Sequence, residues 1–448
     1  MNVITIETAS LGDRSYVVHD GEVALVVDPQ RDIDRVLAAA HAARVTITHV
    51  AETHVHNDYV SGGLTLARVT GATYLHAAAE PLRFDYHAVS DGDAVTVGSM
   101  RVEVRHTPGH TPHHLSYVVT ADGAAPAAFT GGSLLYGTVG RTDLIGPEST
   151  DELTHAQYRS VHALADSLPD QTLVYPTHGF GSFCASAASE EESDGTLGTE
   201  RTANIALTAP DEDRFVARLI AGLDAFPKYY AQMGPLNTAG ASAADLSAPA
   251  AVDPVELARR IHRGEWVVDL RNRRDFAASH LAGTIGIELA TNFSTYLGWL
   301  LPWGMPITLL ADSRDDIAEA QAQLVRIGID RPAGAADGGI DRWSPDADRS
   351  AYAVTTFAEM TDLDSPTILD TRRNGEYAAG HVDGSTHIPL HELLGRLDEV
   401  PAGLVYVHCQ SGYRASIAVS LLDRAGHDAV LIDDNFANAR SGGFTLVD

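Results

Sequence analysis

Cysteine is almost missing from this chain: only Cys184 and Cys409 occur in 448 residues, which excludes a disulfide framework and leaves each thiol to be judged by its own surroundings. Lysine is scarcer still, with Lys228 alone, and the formal net charge is −29. So acidic a chain has no basic patch for a nucleic-acid backbone or an anionic membrane surface, so no nucleic acid and no membrane is expected among its partners. No apolar run is long enough to cross a bilayer, and the opening MNVITIETASLGDRS lacks a basic stretch followed by an apolar one; a cytoplasmic location is expected. What is present is a globular balance, 44% hydrophobic and 20% charged, which makes small-molecule chemistry the default. At 448 residues the chain exceeds the roughly 250 to 300 residues that one core sustains, so two or three domains are expected.

Apolar runs alternate with a helical pattern from the start: SYVV, ALVVDP, a helix from about Ile33 to Ala43, then ITHVAET. That rhythm is α/β. From Ala241 the small, proline-containing stretch ASAADLSAPAAVDP reads as a linker, and RPAGAADGGIDRWSPDADRS precedes a new start near Ala351. Three domains are expected, at 1–240, 252–350 and 351–448, with the acidic run SEEESDG after Cys184 as a solvated loop. The second and third are related by a repeat. Asp269, Arg271, Phe276, Ala277, Ala278, His280, Gly283 and Ile287 recur in constant register as Asp370, Arg372, Tyr377, Ala378, Ala379, His381, Gly384 and Ile388. Each copy opens on a buried-strand run ending in aspartate, WVVDL or TILDT, as two copies of one α/β domain would.

In the last copy the strand-like LVYVH runs into Cys409, then Gln410, Ser411, Gly412, Tyr413 and Arg414, then a helical pattern carrying Ile417, Val419, Leu421 and Leu422. A cysteine between a strand end and a helix start meets backbone N–H groups and the positive end of the helix dipole, with Arg414 adding charge. Such surroundings lower a thiol pKa from about 8.5 toward roughly 3.5 to 7.5, and thiolate is the form that attacks sulfur. A buried, inert thiol is the alternative. The loop resembles the rhodanese active site, a cysteine opening a six-residue loop that ends in arginine, and LDTRRNGEYAAGHVDGSTHIPL is similar to the other signature of that family. The resemblance implies a persulfide on Cys409, with Arg414 and the loop residues Gln410 to Tyr413 binding an anionic donor or acceptor. The middle copy has no cysteine between Val252 and Ser350, and offers Ala311 or Asp312 in its place, which excludes sulfur transfer there and leaves a scaffold or docking role.

Histidine clusters on separate loops. His54, His56 and Asp58 follow the strand ITHVAET at alternating positions, His110 lies in RHTPGHTPHH and His178 in VYPTHG. Donors arriving from several loops at strand ends converge as metal ligands do. His41, His76, His87, His155 and His162 carry no such pattern and read as solvated or satisfied. The order and spacing resemble the metallo-β-lactamase superfamily over roughly residues 1–240, and DPQRD, TPGHTP, FTGG, GRTD and GTLGTERTANIAL resemble its persulfide dioxygenases.

The resemblance implies an αββα sandwich followed by two rhodanese-like α/β domains. It also implies mononuclear Fe2+ held by two histidines, matching His54 and His110, and an aspartate. The reaction implied is oxidation of a thiol persulfide by O2 to sulfite, with thiosulfate shared between the two chemistries. Arg141 matches an arginine that holds the thiol cosubstrate, Cys184 a cysteine of dioxygenase–rhodanese fusions, and dimers or tetramers are common. Two positions depart from the pattern. Gly132 stands where the aspartate ligand is expected, and Tyr59 where the last histidine of the His-X-His-X-Asp-His motif belongs. His54, His56 and His110 remain as a three-histidine site for Fe2+ or Zn2+, with Asp58, His178 and Cys184 as accessories. Two other readings stay open: a sulfurtransferase whose metal domain is inactive or hydrolytic, in the manner of glyoxalase II, and a non-enzymatic persulfide carrier or sensor.

Overall fold

The computed structural model describes residues 1–186, 195–343 and 348–447, so most of the acidic run at 189–195 lies outside the described residues. The chain forms two compact units, Met1–Asp245 with Leu324–Gly328, and Leu246–Gln323 with Ile329–Asp448. Apart from Leu324–Gly328, the residues of the two copies expected at 252–350 and 351–448 fall in the second unit.

In the first unit, strands β1 (Asn2–Thr8), β2 (Asp13–His19), β3 (Val23–Val27), β4 (Thr46–Ala51), β5 (Thr73–Ala77) and β6 (His87–Val89) form one sheet in sequence order. Strands β7 (Ala94–Val97), β8 (Met100–His106), β9 (Leu115–Thr120), β10 (Ala127–Gly131) and β11 (Leu173–Pro176) form the other. The period of two along each strand decides what faces what. Tyr16, Val18, Leu25 and Val27 meet Tyr117, Val119, Ala127 and Phe129 between the sheets. Their neighbours Val17, Ala24 and Val26 turn outward onto the helices Asp34–Ala43 and Gly63–Thr70, while Val118 and Ala128 turn onto the helix Pro147–Ser167. Helix, sheet, sheet and helix thus stack in four layers.

In the second unit the middle copy has four parallel strands in the order Ile285–Gly286, Trp266–Asp269, Ile307–Ala311, Gly334–Asp337. The last copy repeats this order with Thr386–His387, Ile368–Asp370, Val405–His408 and Ala429–Ile432. The repeated residues make repeated bonds. Arg271 clamps Asp269 and donates to the carbonyl of Ser279 at 2.9 Å; Arg372 clamps Asp370 and donates to the carbonyl of Gly380 at 2.8 Å. His280 stacks on Phe276 at 3.9 Å and His381 on Tyr377 at 3.8 Å. The motif is thus a buried brace between a strand end and the turn after the next helix, where an unpaired charge would be costly.

Candidate metal centre and sulfur-transfer loop

The loops after β4, β8 and β11 carry the clustered histidines, and those after β3 and β10 bring Asp28 and Gly132 beside them. Asp28, just past β3, adopts a left-handed backbone at φ 51°, uncommon outside glycine, and ties three loops together. It accepts from the amide and hydroxyl of Thr53 at 2.7 Å each, from the hydroxyl of Thr177, and faces His56 Nε2 at 3.3 Å. Glu52 approaches the same Nε2 at 3.1 Å. Burial works against charge on His56, but Asp28 and Glu52 outweigh it and lift the imidazole to about 9. Tyr59 donates its hydroxyl to the carbonyl of Asp28, contacts His56 Nε2 at 2.9 Å and stacks on that ring. It fills a ligand's position with a supporting role.

His110 fixes its Nδ1 on the carbonyl of Arg141 at 2.7 Å, and burial, with the charge of His178, pushes it down to about 3. His178 places Nδ1 against Asp13 at 2.9 Å and Asp58 at 3.2 Å, and its Nε2 lies 3.3 Å from Nε2 of His54. His54 Nδ1 in turn meets the Thr53 hydroxyl at 2.8 Å.

The expected set of His54, His56 and His110 is regrouped. His54, His56 and His178 bring donor atoms within 4.8 Å of one another, and so do His110, His178 and Cys184. His178, expected as an accessory, is common to both groups. His56 Nδ1 and His110 Nε2 are buried and make no hydrogen bond among the described residues. Leaving such a group unmet costs about 1–3 kcal/mol, and in His56 and His110 the opposite nitrogen is already committed, the arrangement that orients a metal ligand. These donors fit a cation. The family's carboxylate does not return at Gly132, where a Cβ would stand 2.2 Å from Cδ2 of His110.

Sequence reasoning missed His114, four residues beyond His110. It stacks on His54 at 4.9 Å, meets the Thr107 hydroxyl through Nδ1 and accepts the amide of Gly132 at 3.0 Å. Beside the cluster a cavity of about 350 Å3 is lined by Val55, Asn57, Thr111, His113, Leu144 and Tyr230, among others, a size suited to a small ligand. Arg141, expected to hold the thiol cosubstrate, is 4% exposed, and its guanidinium meets Asp143 at 2.6 and 2.7 Å and the carbonyls of Phe183 and Asp224.

Cys409 follows the strand Val405–His408 directly, and the helix Tyr413–Ala425 begins after Gly412 at φ 89°. A Cβ on Gly412 would fall 2.2 Å from Oδ1 of Asp433, so both the turn and the close approach demand glycine. Asp269 pairs with Leu310 as Asp370 pairs with His408, which puts Ala311 in the place of Cys409 and resolves the alternative with Asp312. Cys409 is 1% exposed, while Gln410 and Ser411 are exposed. Tyr413, expected to bind substrate, donates its hydroxyl to the carbonyl of Glu288 at 2.8 Å in the middle copy; it anchors the loop.

Arg414 is held by Glu376 at 2.5 and 2.7 Å. Burial pushes the Glu376 carboxyl up, but Arg414 and Arg373 outweigh it and bring it to about 2. A narrow pocket with room for about 10 Å3, one water-sized group, is lined by Tyr296, Trp299, Thr371, Arg373, His391 and Arg414, among others. Tyr296 and Trp299 come from the helix Phe293–Leu300 of the middle copy, and no motif pointed to them.

The family description "Metallo-beta-lactamase superfamily" matches residues 14–178 and "Rhodanese-like domain" matches residues 353–438. Persulfide dioxygenase ETHE1 of Bos taurus is 30% identical over 190 residues, 41% of this chain and 68% of that protein. The chain belongs to the metallo-β-lactamase superfamily. Within it the chain is homologous to persulfide dioxygenases, and it fuses that domain to a C-terminal rhodanese-like domain. The human persulfide dioxygenase ETHE1 is likewise 30% identical, over 186 residues, 41% of this chain and 68% of that protein. A hydroxyacylglutathione hydrolase of Maricaulis maris is 32% identical over 175 residues, 37% of this chain and 61% of that protein. A metallo-beta-lactamase from Staphylococcus aureus subsp. aureus COL superposes with a TM-score of 0.67 at 28% identity, covering 75% of this chain and 99% of its own. The persulfide dioxygenase relatives and the rhodanese-like domain support a role in sulfide detoxification. No helix among the described residues is long and apolar enough to cross a membrane.

Proposed function

We propose that this metallo-β-lactamase–rhodanese fusion clears reactive sulfur by two linked reactions, oxidation of a low-molecular-weight thiol persulfide with O2 to sulfite and transfer of sulfane sulfur through Cys409. The observation that carries the reading is Cys409 itself, the first residue of a strand–loop–helix turn closed by Arg414 beside a pocket for one small group. The Cys409 thiolate attacks the outer sulfur of thiosulfate; the S–S bond of thiosulfate breaks, sulfite leaves with the electron pair, and a Cys409 persulfide remains. A carrier thiolate then attacks the terminal sulfur and regenerates Cys409. Run backwards, the same steps hand persulfide sulfur to sulfite.

Arg414 supplies the charge that offsets the sulfur anions, and Glu376 holds that guanidinium in place between turnovers. The middle copy acts as a cysteine-free rhodanese-like scaffold that pins the loop through Glu288 and Tyr413 and walls the pocket with Tyr296 and Trp299. In the first unit His54, His56 and His110, with His178 beside them, would hold the Fe2+ that the family implies. When bound, such an ion supplies O2 activation next to the persulfide. Thr111, Leu144 and Tyr230 line the cavity that would seat the thiol.

Anaerobic purification, elemental analysis and O2 uptake with a thiol persulfide test this reading, with His110→Ala beside the wild type. Stoichiometric iron and uptake lost in the variant support it. Absence of uptake with sulfur transfer intact would make Cys409 the only active centre and favour the sulfurtransferase with a degenerate metal domain, which Gly132 also favours.

A further inference from the structure

We propose that Cys184 is a metal ligand: with His110 and His178 it adds a thiolate to the divalent-cation site of the histidine cluster. The proposal rests on the reading of the histidine cluster as a cation site, and it names a ligand which that reading does not include.

The three residues come from three loops, and one donor atom of each lies within 4.8 Å of the others. All three are buried without measurable exposure, and Cys184 forms no disulfide. His110 Nε2, although buried, makes no hydrogen bond among the described residues, while its Nδ1 is committed to the carbonyl of Arg141. Asp58 stands 3.2 Å from Nδ1 of His178. The backbone around Cys184 is fixed from both sides: its amide donates to the Ser182 hydroxyl at 3.2 Å, and its carbonyl accepts from the amide of Arg141 at 2.8 Å. The thiol is thereby presented by the same segment, Arg141, whose carbonyl orients His110.

The chemistry follows from the donors. A chain that has glycine at position 132 lacks the anionic oxygen of the family's site, and a side chain there would collide with the His110 ring. Cys184 supplies the missing negative charge as sulfur. Two imidazoles and a thiolate suit a borderline-soft divalent ion, Fe2+ or Zn2+, over harder ions that want oxygen, and for zinc the sulfur bond is near 2.3 Å. Binding exchanges the S–H bond for a sulfur–metal bond and releases the proton to solvent, with no change of oxidation state.

The test uses the full-length chain carrying Cys409→Ser, in which Cys184 is the sole cysteine. The protein is stripped by chelation and loaded with Co2+ or Zn2+. The expected results are one ion per chain, a thiolate-to-cobalt charge-transfer absorption in the near ultraviolet, and a zinc–sulfur path in X-ray absorption. Cys184→Ser in the same background should lose both sulfur signatures and bind the ion at least about tenfold more weakly. Because the sulfur path is read in protein with an unaltered interior around Cys184, a folding defect of the second variant does not blunt the test. Cobalt bound with no sulfur signature would overturn the proposal and leave the ion on nitrogen and oxygen donors. No ion bound at all would sink this proposal together with the cation reading of the cluster.

Discussion

Restoring the family's aspartate at position 132 should damage this protein instead of repairing it. A Cβ there would lie 2.2 Å from Cδ2, 2.6 Å from Cγ and 2.8 Å from Nε2 of His110, so the ring must move. The ring is not free to do so: it is anchored by Nδ1 on the carbonyl of Arg141 at 2.7 Å and packed against His54 and His178 at centroid distances of 4.8 and 5.3 Å. Forcing an extra group into such a site costs about 1–3 kcal/mol, and losing the anchoring hydrogen bond about 1 kcal/mol more. With each kcal/mol worth roughly 2–4 °C in a unit of this size, the melting temperature of the first unit should fall by roughly 4–16 °C. Calorimetry of metal-free Gly132→Asp and Gly132→Ala measures it; the alanine variant carries the steric part alone and should show most of the loss. If both variants melt with the wild type, the packing argument is wrong and the absence of the aspartate needs another cause.

Four other outcomes follow from the same geometry. Cys409→Ser should reduce sulfur transfer from thiosulfate to background while leaving the metal content of the protein unchanged, as elemental analysis will show. Tyr296→Ala and Trp299→Ala should raise KM for thiosulfate several-fold with kcat little altered, since both line the pocket that Arg414 borders; a loss confined to kcat would contradict this. Glu376 has its carboxyl held at about 2 by Arg414 and Arg373 against burial, below its ordinary value of 4.5, so its stabilisation is complete above about pH 4.5 and is lost as pH falls toward 2. Thermal melts between those limits should show this slope, and Glu376→Gln should flatten it and destabilise the unit by about 1–3 kcal/mol; parallel slopes for the two proteins would refute the pairing. Chelation of a metal-loaded sample should lower the first transition by about 2.7 kcal/mol for an ion held at a hundred times its Kd, and an unchanged melt would mean that the cluster binds none.

How much of this was legible in the residues differs by kind. Period-two strands and the repeat from Asp269 and Asp370 onward announced α/β units, because alternation and spacing are properties of the chain alone. The sulfur loop was equally plain, since strand, cysteine, glycine and arginine are consecutive. The regrouping of His54, His56 and His110 around His178 was not, because sequence spacing places donors at loop ends without saying which nitrogen turns inward. His114 belongs to the same run as His110 but points to the amide of Gly132, a contact no spacing rule encodes. Arg141 and Tyr413 matched motif positions, yet Asp143 and Glu288 claim their donors. Tyr296 and Trp299 reach the pocket from the copy that lost its cysteine, through a helix with no catalytic signature.

The central claim is that Cys409 takes up sulfane sulfur. Brief mixing of the full-length protein with thiosulfate, followed by alkylation and mass spectrometry of its peptides, tests it most directly. The account predicts one added sulfur atom on the peptide bearing Cys409, none on that bearing Cys184, and none anywhere in Cys409→Ser. Sulfur found on Cys184, or an unmodified Cys409 under conditions that consume thiosulfate, would contradict it.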